Sequence, residues 1–349
     1  MTTRRAVIRG LGHAGIAGAL GSCLSTSSWS QAAAPKPDSS KPLTIAIGGY
    51  TFAYLPLLVA TAAGFMKNEG LDVSLIDTGS GTNSMAAMLG GSVDVVGLVM
   101  SDVILAVAKG QKIHAFAPLM SQYASDAVIS RKAAEKIGLV PGMPLQERMA
   151  RMKGLTLAIS GRGSGTDKIW RYLLGLGGLD PEKDVTLTVV KLDKMYLALR
   201  SGQIDGFNAT APANNQAVED GLAVWAARPS QGEVRGIENF LYTVLCAKPD
   251  YLDKNGETAA AIVRAMTRGS ELIRSDPDSA GQALHDKYFQ QMSRDLIKRV
   301  VSDQRMTVSV PPTLSQAQFQ ENIEFELKFS QEVRGVGYQQ AINPRWLSS

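Results

Sequence analysis

The stretch from Leu71 to Asp102, LDVSLIDTGSGTNSMAAMLGGSVDVVGLVMSD, constrains the fold more than any other part of the chain. Apolar positions alternate at Val73 and Leu75, and a glycine-serine loop follows at Gly79 to Thr82. Then come a small-residue helical pattern (Met85, Ala86, Met88, Leu89) and an apolar run from Val93 to Met100. This order of strand, loop, helix and strand calls for a sheet with helices on its faces. The loop opens onto a helix N-terminus, whose unpaired N–H groups and dipole favour an anionic or strongly accepting ligand. Glycines there let the backbone approach such a ligand. Gly79 to Asn83 reads equally as a plain tight connection with Thr82 or Asn83 as helix N-cap. The stretch by itself leaves both readings open.

The pattern begins again at Leu155. Leu155 to Ile159 reads as a strand, Ser160 to Thr166 as the loop, Asp167 to Leu176 as a helix and Val185 to Val190 as a strand. Gly202-Gln203-Ile204-Asp205-Gly206-Phe207 parallels Gly91-Ser92-Val93-Asp94-Val95-Val96, and Gly-Ser-Gly-Thr starts at both Gly79 and Gly163. This repetition is too sparse for a solenoid and implies two similar α/β units. A chain of 349 residues, 45% of them hydrophobic, has the material for two such cores. Leu43 to Gly48 reads as a further strand, and Pro56 to about Asn68 as a helix stopped by Gly70. Val103 to Lys109 reads as a helix and Ile113 to Met120 as a strand. Thr258 to Arg274 and Gln316 to Glu332 have helical spacing.

The net charge of +4 belongs mostly to the N-terminus, because Arg4, Arg5 and Arg9 precede the first acidic residue, Asp38. Without them 33 basic residues face 32 acidic ones, a balance of +1, and no nucleic-acid track is expected. Residues 1–34 read as an export signal: a basic start, an apolar middle too short and glycine-rich to span a bilayer, and a small-residue end. Thr3-Arg4-Arg5 before Ala6-Val7-Ile8 marks the twin-arginine type, with cleavage at Ser30-Gln31-Ala32 or Ala32-Ala33-Ala34. Leu20-Gly21-Ser22-Cys23 competes as a lipoprotein box that would place a lipid anchor on Cys23. Residues 35–42 form a proline-marked linker. Cleavage by the first route leaves Cys246 as the sole cysteine, so no internal disulfide is expected. No cofactor or metal is expected either, and His114 and His285 read as surface or packing residues.

Ligands of open α/β sheets sit beyond the carboxyl ends of the strands. The residues placed there are Tyr50, Thr51 and Phe52; Ser80, Gly81, Thr82 and Asn83; Ser101 and Asp102; Gln122 and Tyr123; Arg162, Gly163 and Ser164; and Asn208 and Thr210. This set suits a small polar ligand and holds no catalytic team. Arg162, just before a helix, suits a sulfonate or carboxylate, or is an exposed loop arginine. Asp102 is either an N-cap or a cleft carboxylate that selects an ammonium or ring N–H. Tyr50, Phe52, Tyr54, Tyr123 and Trp170 are candidate stacking surfaces, whereas Asp94 and Asp205 open strands and read as structural. There is no Gly-x-Ser-x-Gly elbow, Walker lysine motif or His-Glu-x-x-His, and the glycines at 161, 163 and 165 are wrongly spaced for a dinucleotide.

Tyr54-Leu55-Pro56-Leu57-Leu58-Val59-Ala60, the run Gly64 to Val73, Gly79-Ser80-Gly81 and Ala108-Lys109-Gly110 come in a telling order. Gly163-Ser164, Ala198-Leu199, Gly202-Gln203-Ile204-Asp205 and Pro212 continue it. Together they resemble the nitrate/sulfonate/taurine and thiamine-precursor group of periplasmic substrate-binding proteins that feed ABC importers, over residues 43–337. The resemblance implies a bilobed type II periplasmic-binding-protein fold, two α/β domains joined by a two-strand hinge. Lobe 1 would be 43–120 plus 241–349 and lobe 2 121–240, with crossings near 121–126 and 238–241. It implies a periplasmic monomer that captures a small organic anion or zwitterion, sulfonate- or taurine-like, for an ABC permease. An aromatic or pyrimidine-type ligand, a sensor subunit and an enzyme are the alternatives. The related pyrimidine synthases carry a cysteine-rich motif missing here.

Overall fold

The computed structural model describes residues 42–347, so the expected export signal, Cys23 and nearly all of the linker lie outside the described residues. Ten strands form two five-stranded sheets: β1 (Leu43–Ile47), β2 (Val73–Asp77), β3 (Val95–Val99), β4 (His114–Met120), β5 (Ser125–Ser130), β6 (Thr156–Ile159), β7 (Thr186–Val189), β8 (Gly206–Thr210), β9 (Ala223–Ala227) and β10 (Thr243–Ala247). The first sheet has the order β2-β1-β3-β10-β4 and the second β7-β6-β8-β5-β9. The chain passes from one sheet to the other between Met120 and Ser125 and returns between Ala227 and Thr243. This is the mixed α/β architecture with two sheets that the alternation implied.

Each sheet is parallel except for one inserted strand. β1 pairs in parallel with β2 and β3, while β10 runs antiparallel between β3 and β4. In the second sheet β6 is parallel to β7 and β8, and β5 is antiparallel to β8 and β9. The inserted strands therefore start at the edge where their neighbours end: Thr243 lies opposite Val99, and Ser125 opposite Thr210.

Strand periodicity sorts side chains to two faces. Ile45 and Ile47 enter an apolar cluster that also takes in Ile159 and Trp170 of the second sheet, whereas Ala46, Val96 and Leu98 face a separate cluster. Val128, Phe207 and Ala209 belong to a third. Apolar material on both faces explains why these strands read as near-continuous hydrophobic runs.

Several helices depart from the expected bounds for local reasons. The helix opened by Pro56 is two pieces, Leu55–Ala62 and Phe65–Asn68, because Gly64 takes the left-handed conformation at φ 79°. The helix expected from Val103 spans Met100–Ala108, so Asp102 is in its first turn and is not its N-cap. Gly165–Leu176 starts two residues early behind Ser164, and Gln316–Glu326 ends before the expected Glu332. No helix among the described residues is long and apolar enough to cross a membrane.

Candidate functional site

The strand ends of the two sheets converge on an inner cavity of about 50 Å³. One water needs ~10–15 Å³, so the space holds a few atoms. Thr51, Tyr54, Gly81, Asp102, Tyr242 and Thr243 line it from the first sheet, and Ser125, Ser160, Ser164, Thr166 and Thr210 from the second. Two helix N-termini close on it. Ser80 caps Gly81–Leu89, its hydroxyl accepting from Asn83 N at 3.2 Å, and Ser164 caps Gly165–Leu176, accepting from Asp167 N at 3.4 Å. Gly48 makes the first approach possible, because a Cβ there would lie 2.9 Å from Gly81 N. The cap is thus Ser80, in place of the expected Thr82 or Asn83; Asn83 instead sends its side-chain amide to Thr78 O at 2.8 Å.

The hydroxyls are held by one another. Ser160 Oγ donates to Ser164 Oγ at 3.1 Å, Ser160 N donates to Thr166 Oγ1 at 2.8 Å, and Thr210 and Tyr242 hydroxyls lie 3.2 Å apart. Tyr54 OH accepts from Gly48 N at 3.0 Å. Phe52 N donates to Ala211 O at 2.7 Å, joining the two sides above the cavity.

Asp102 is the one charged side chain among the described residues lining this cavity. Lys168, on the second-sheet helix Gly165–Leu176, donates to Asp102 Oδ1 at 3.3 Å and to Glu326 Oε2 at 3.0 Å. Lys168 and Glu326 are buried and Asp102 is partly so. Burial raises both carboxyls even against the pull of Lys168. Burial works against the Lys168 ammonium too, yet Asp102 and Glu326 together keep it charged. Two carboxylates against one ammonium leave an excess of one negative charge when all ionise. Asp102 Oδ2, beside Gly81, takes no hydrogen bond from any described residue.

Of the residues expected at the site, Thr51, Gly81, Asp102, Ser164 and Thr210 meet in the inner cavity. Thr82, Arg162 and Gly163 line a second, outer groove of about 410 Å³ that shares Asp102. Arg162 is exposed there and does not enter the inner cavity; its Nη2 donates to Leu187 O at 3.3 Å. Ser80 and Asn83 serve the loop, and Ser101 lies on a smaller void beside Lys168. Gln122 Nε2 reaches Ser230 O at 3.4 Å. Asn208 is fully buried, bracing Ser125 and Thr166 O. Tyr50 stacks on Tyr288 with centroids 5.1 Å apart, Phe52 meets Phe289 and Tyr123 meets Tyr242. Trp170 is buried, with Nε1 donating to Ala158 O at 3.2 Å. Asp205 serves the backbone, accepting from Thr156 N at 2.8 Å.

Lys168, Glu326, Ser125, Tyr242 and Thr243 were not expected. Ser125 and Thr243 begin antiparallel strands, so a search of carboxyl ends passes them over. Among the described residues no group of three or more His, Cys, Asp or Glu could hold a metal ion.

A model of the NMT1-like family matches residues 37–284. The Bacillus subtilis protein YtlA is 26% identical over 247 residues, 70% of each chain. The bicarbonate-binding protein CmpA of Synechococcus elongatus is 26% identical over 234 residues, 63% of this chain and 51% of CmpA, so this chain spans about half that relative's length. Among solved structures, a protein of Bordetella bronchiseptica superposes with a TM-score of 0.78 at 25% identity, over 88% of this chain and 96% of that one. The periplasmic nitrate-binding protein NrtA from Synechocystis gives 0.70 at 16% identity, over 90% and 89%.

Proposed function

The chain belongs to the NMT1-like family, and from that premise we propose that it is the solute-capturing component of an ABC import system. It is exported to the periplasm as a monomer, closes on a small organic anion or zwitterion and hands it to the permease. Its lobes are residues 43–120 with 241–349, and 121–240; the two crossings are the hinge.

The observation that carries this reading is a small cavity lined from both sheets by hydroxyls, two helix N-termini and one carboxylate. A solute touching both sides makes all its contacts only in the shut form, and that differential affinity drives closure. The helix N-termini favour its anionic end. Asp102 Oδ2 suits an ammonium, which favours a zwitterion of the taurine type over nitrate. The bicarbonate- and nitrate-binding relatives support the class of a small polar solute. Of the five candidate stacking surfaces Tyr54 alone lines the cavity, while Tyr50, Phe52, Tyr123 and Trp170 are occupied by other contacts, which disfavours the pyrimidine alternative. Against catalysis, no His, Cys or Lys is among the described residues lining the cavity.

A thermal-shift panel of taurine, methanesulfonate, bicarbonate, nitrate and an aminopyrimidine tests the reading. A bound solute at a hundred times its Kd stabilises by about 2.7 kcal/mol, and taurine is expected to give the largest shift. No shift with any of them, or turnover of one by the purified protein, would overturn it.

A further inference from the structure

The outer groove and the inner cavity lie on the two sides of one seam. Asp102 lines both; Gly81 and Ser164 face inward where their neighbours Thr82 and Gly163 face outward. The groove differs in kind from the cavity. Its floor is Met85, Leu89, Leu105 and Ala106, half-buried apolar side chains on two helices of lobe 1. Its volume of about 410 Å³ falls within the ~300–1,000 Å³ usual for ligand pockets. Two cations stand on it, Arg162 from lobe 2 and Lys109 from lobe 1. The carboxylate nearest Arg162, Glu182, is 3.7 Å away and is held more closely by Arg171, at 2.5 Å. Lys109 forms no ion pair among the described residues.

We propose that the solute is an amphiphilic organic acid whose polar head, bearing an N–H or O–H donor for Asp102, sits in the inner cavity. Its apolar body lies in the outer groove, and its carboxylate or sulfonate, which a longer body carries away from the helix N-termini that would hold the anion of a short solute such as taurine, is held at the far end by Arg162 and Lys109. This rests on the solute-binding reading and names the class of solute. An apolar floor rimmed by two cations is complementary to an apolar chain that ends in an anion. Helices of one lobe and the Arg162–Gly163 loop of the other wall the groove, so the body adds to closure as well as to affinity. Inorganic anions would leave it empty.

Titration calorimetry of the full chain with β-alanine, γ-aminobutyrate and ε-aminocaproate tests the proposal. Affinity should rise roughly fourfold for each added methylene, the value of one buried CH₂. Arg162→Glu, at an exposed position, should weaken ε-aminocaproate at least ten times more than β-alanine, and Ala106→Trp, which fills the groove, should show the same selectivity. Affinity that does not depend on chain length, or equal weakening of long and short members, overturns the proposal and leaves solute capture standing. Absence of binding at every length also overturns it; a shift with bicarbonate, nitrate or taurine in the thermal panel would then show that solute capture survives.

Discussion

Lys168, on the helix Gly165–Leu176, reaches between two carboxylates, Asp102 and Glu326, and this decides what its loss would do. Lys168→Met leaves buried Glu326 and partly buried Asp102 with no counter-charge, and removing one member of a buried pair costs about 3–5 kcal/mol. Urea denaturation at neutral pH should show this loss, and acid should relieve it as the carboxyls take up protons. Asp126 offers a cleaner titration. It accepts from Ser230 N at 2.9 Å and Ser230 Oγ at 2.7 Å, and burial, outweighing those bonds and nearby Arg228, lifts its pKa from 3.8 to about 6. A carboxyl with a raised folded-state pKa binds its proton more tightly when folded. Its contribution is therefore complete below about 3.8 and is lost as pH rises through about 6. The loss is on the order of 3 kcal/mol, taking ~1.4 kcal/mol per pKa unit. Melting temperatures from pH 3.5 to 7 should fall less steeply in Asp126→Asn than in the wild type; parallel curves would contradict this assignment.

At the scale of elements, the N-termini of Gly81–Leu89 and Gly165–Leu176 depend on their caps and on close backbone approach. Ser80→Ala should cost about 1 kcal/mol in urea unfolding. Gly48→Ala should cost more and also weaken solute binding, because its Cβ would press on Gly81 N and displace the helix start. Much of this was legible in the sequence. Strands such as Leu43–Ile47 and Val95–Val99 are apolar runs flanked by glycine loops, and the loops before Gly81–Leu89 and Gly165–Leu176 read as opening onto helices, although the caps are Ser80, in place of the expected Thr82 or Asn83, and Ser164, whose helix starts two residues early. The antiparallel strands were not, because Ser125–Ser130 and Thr243–Ala247 are flanked by none of the glycine loops that mark the parallel ones. Lys168 and Glu326 were hidden for another reason: they lie 158 positions apart, and only tertiary packing brings them together. Arg162 shows the converse. Its place beside a helix start was visible, yet the direction of a long exposed side chain is set by neighbours such as Leu187 O.

Across the whole molecule, one apolar cluster runs from Ile45 and Phe116 in the first sheet to Ile159 and Trp170 at the second. A shared core couples the two sheets, so far-UV and near-UV circular dichroism should report a single coincident unfolding transition. Two separated transitions would mean that the two sheets and their helices hold themselves up independently. The place of β10 between β3 and β4 bears on how the chain is made. The first sheet cannot be completed until Thr243 has left the ribosome, roughly 120 residues after Met120, or about 6–25 s at ~5–20 residues per second. All five strands of the other sheet emerge within that interval. The half of the protein translated first is thereby the half finished last, and its unpaired strand edges are what a chaperone would meet on the nascent chain.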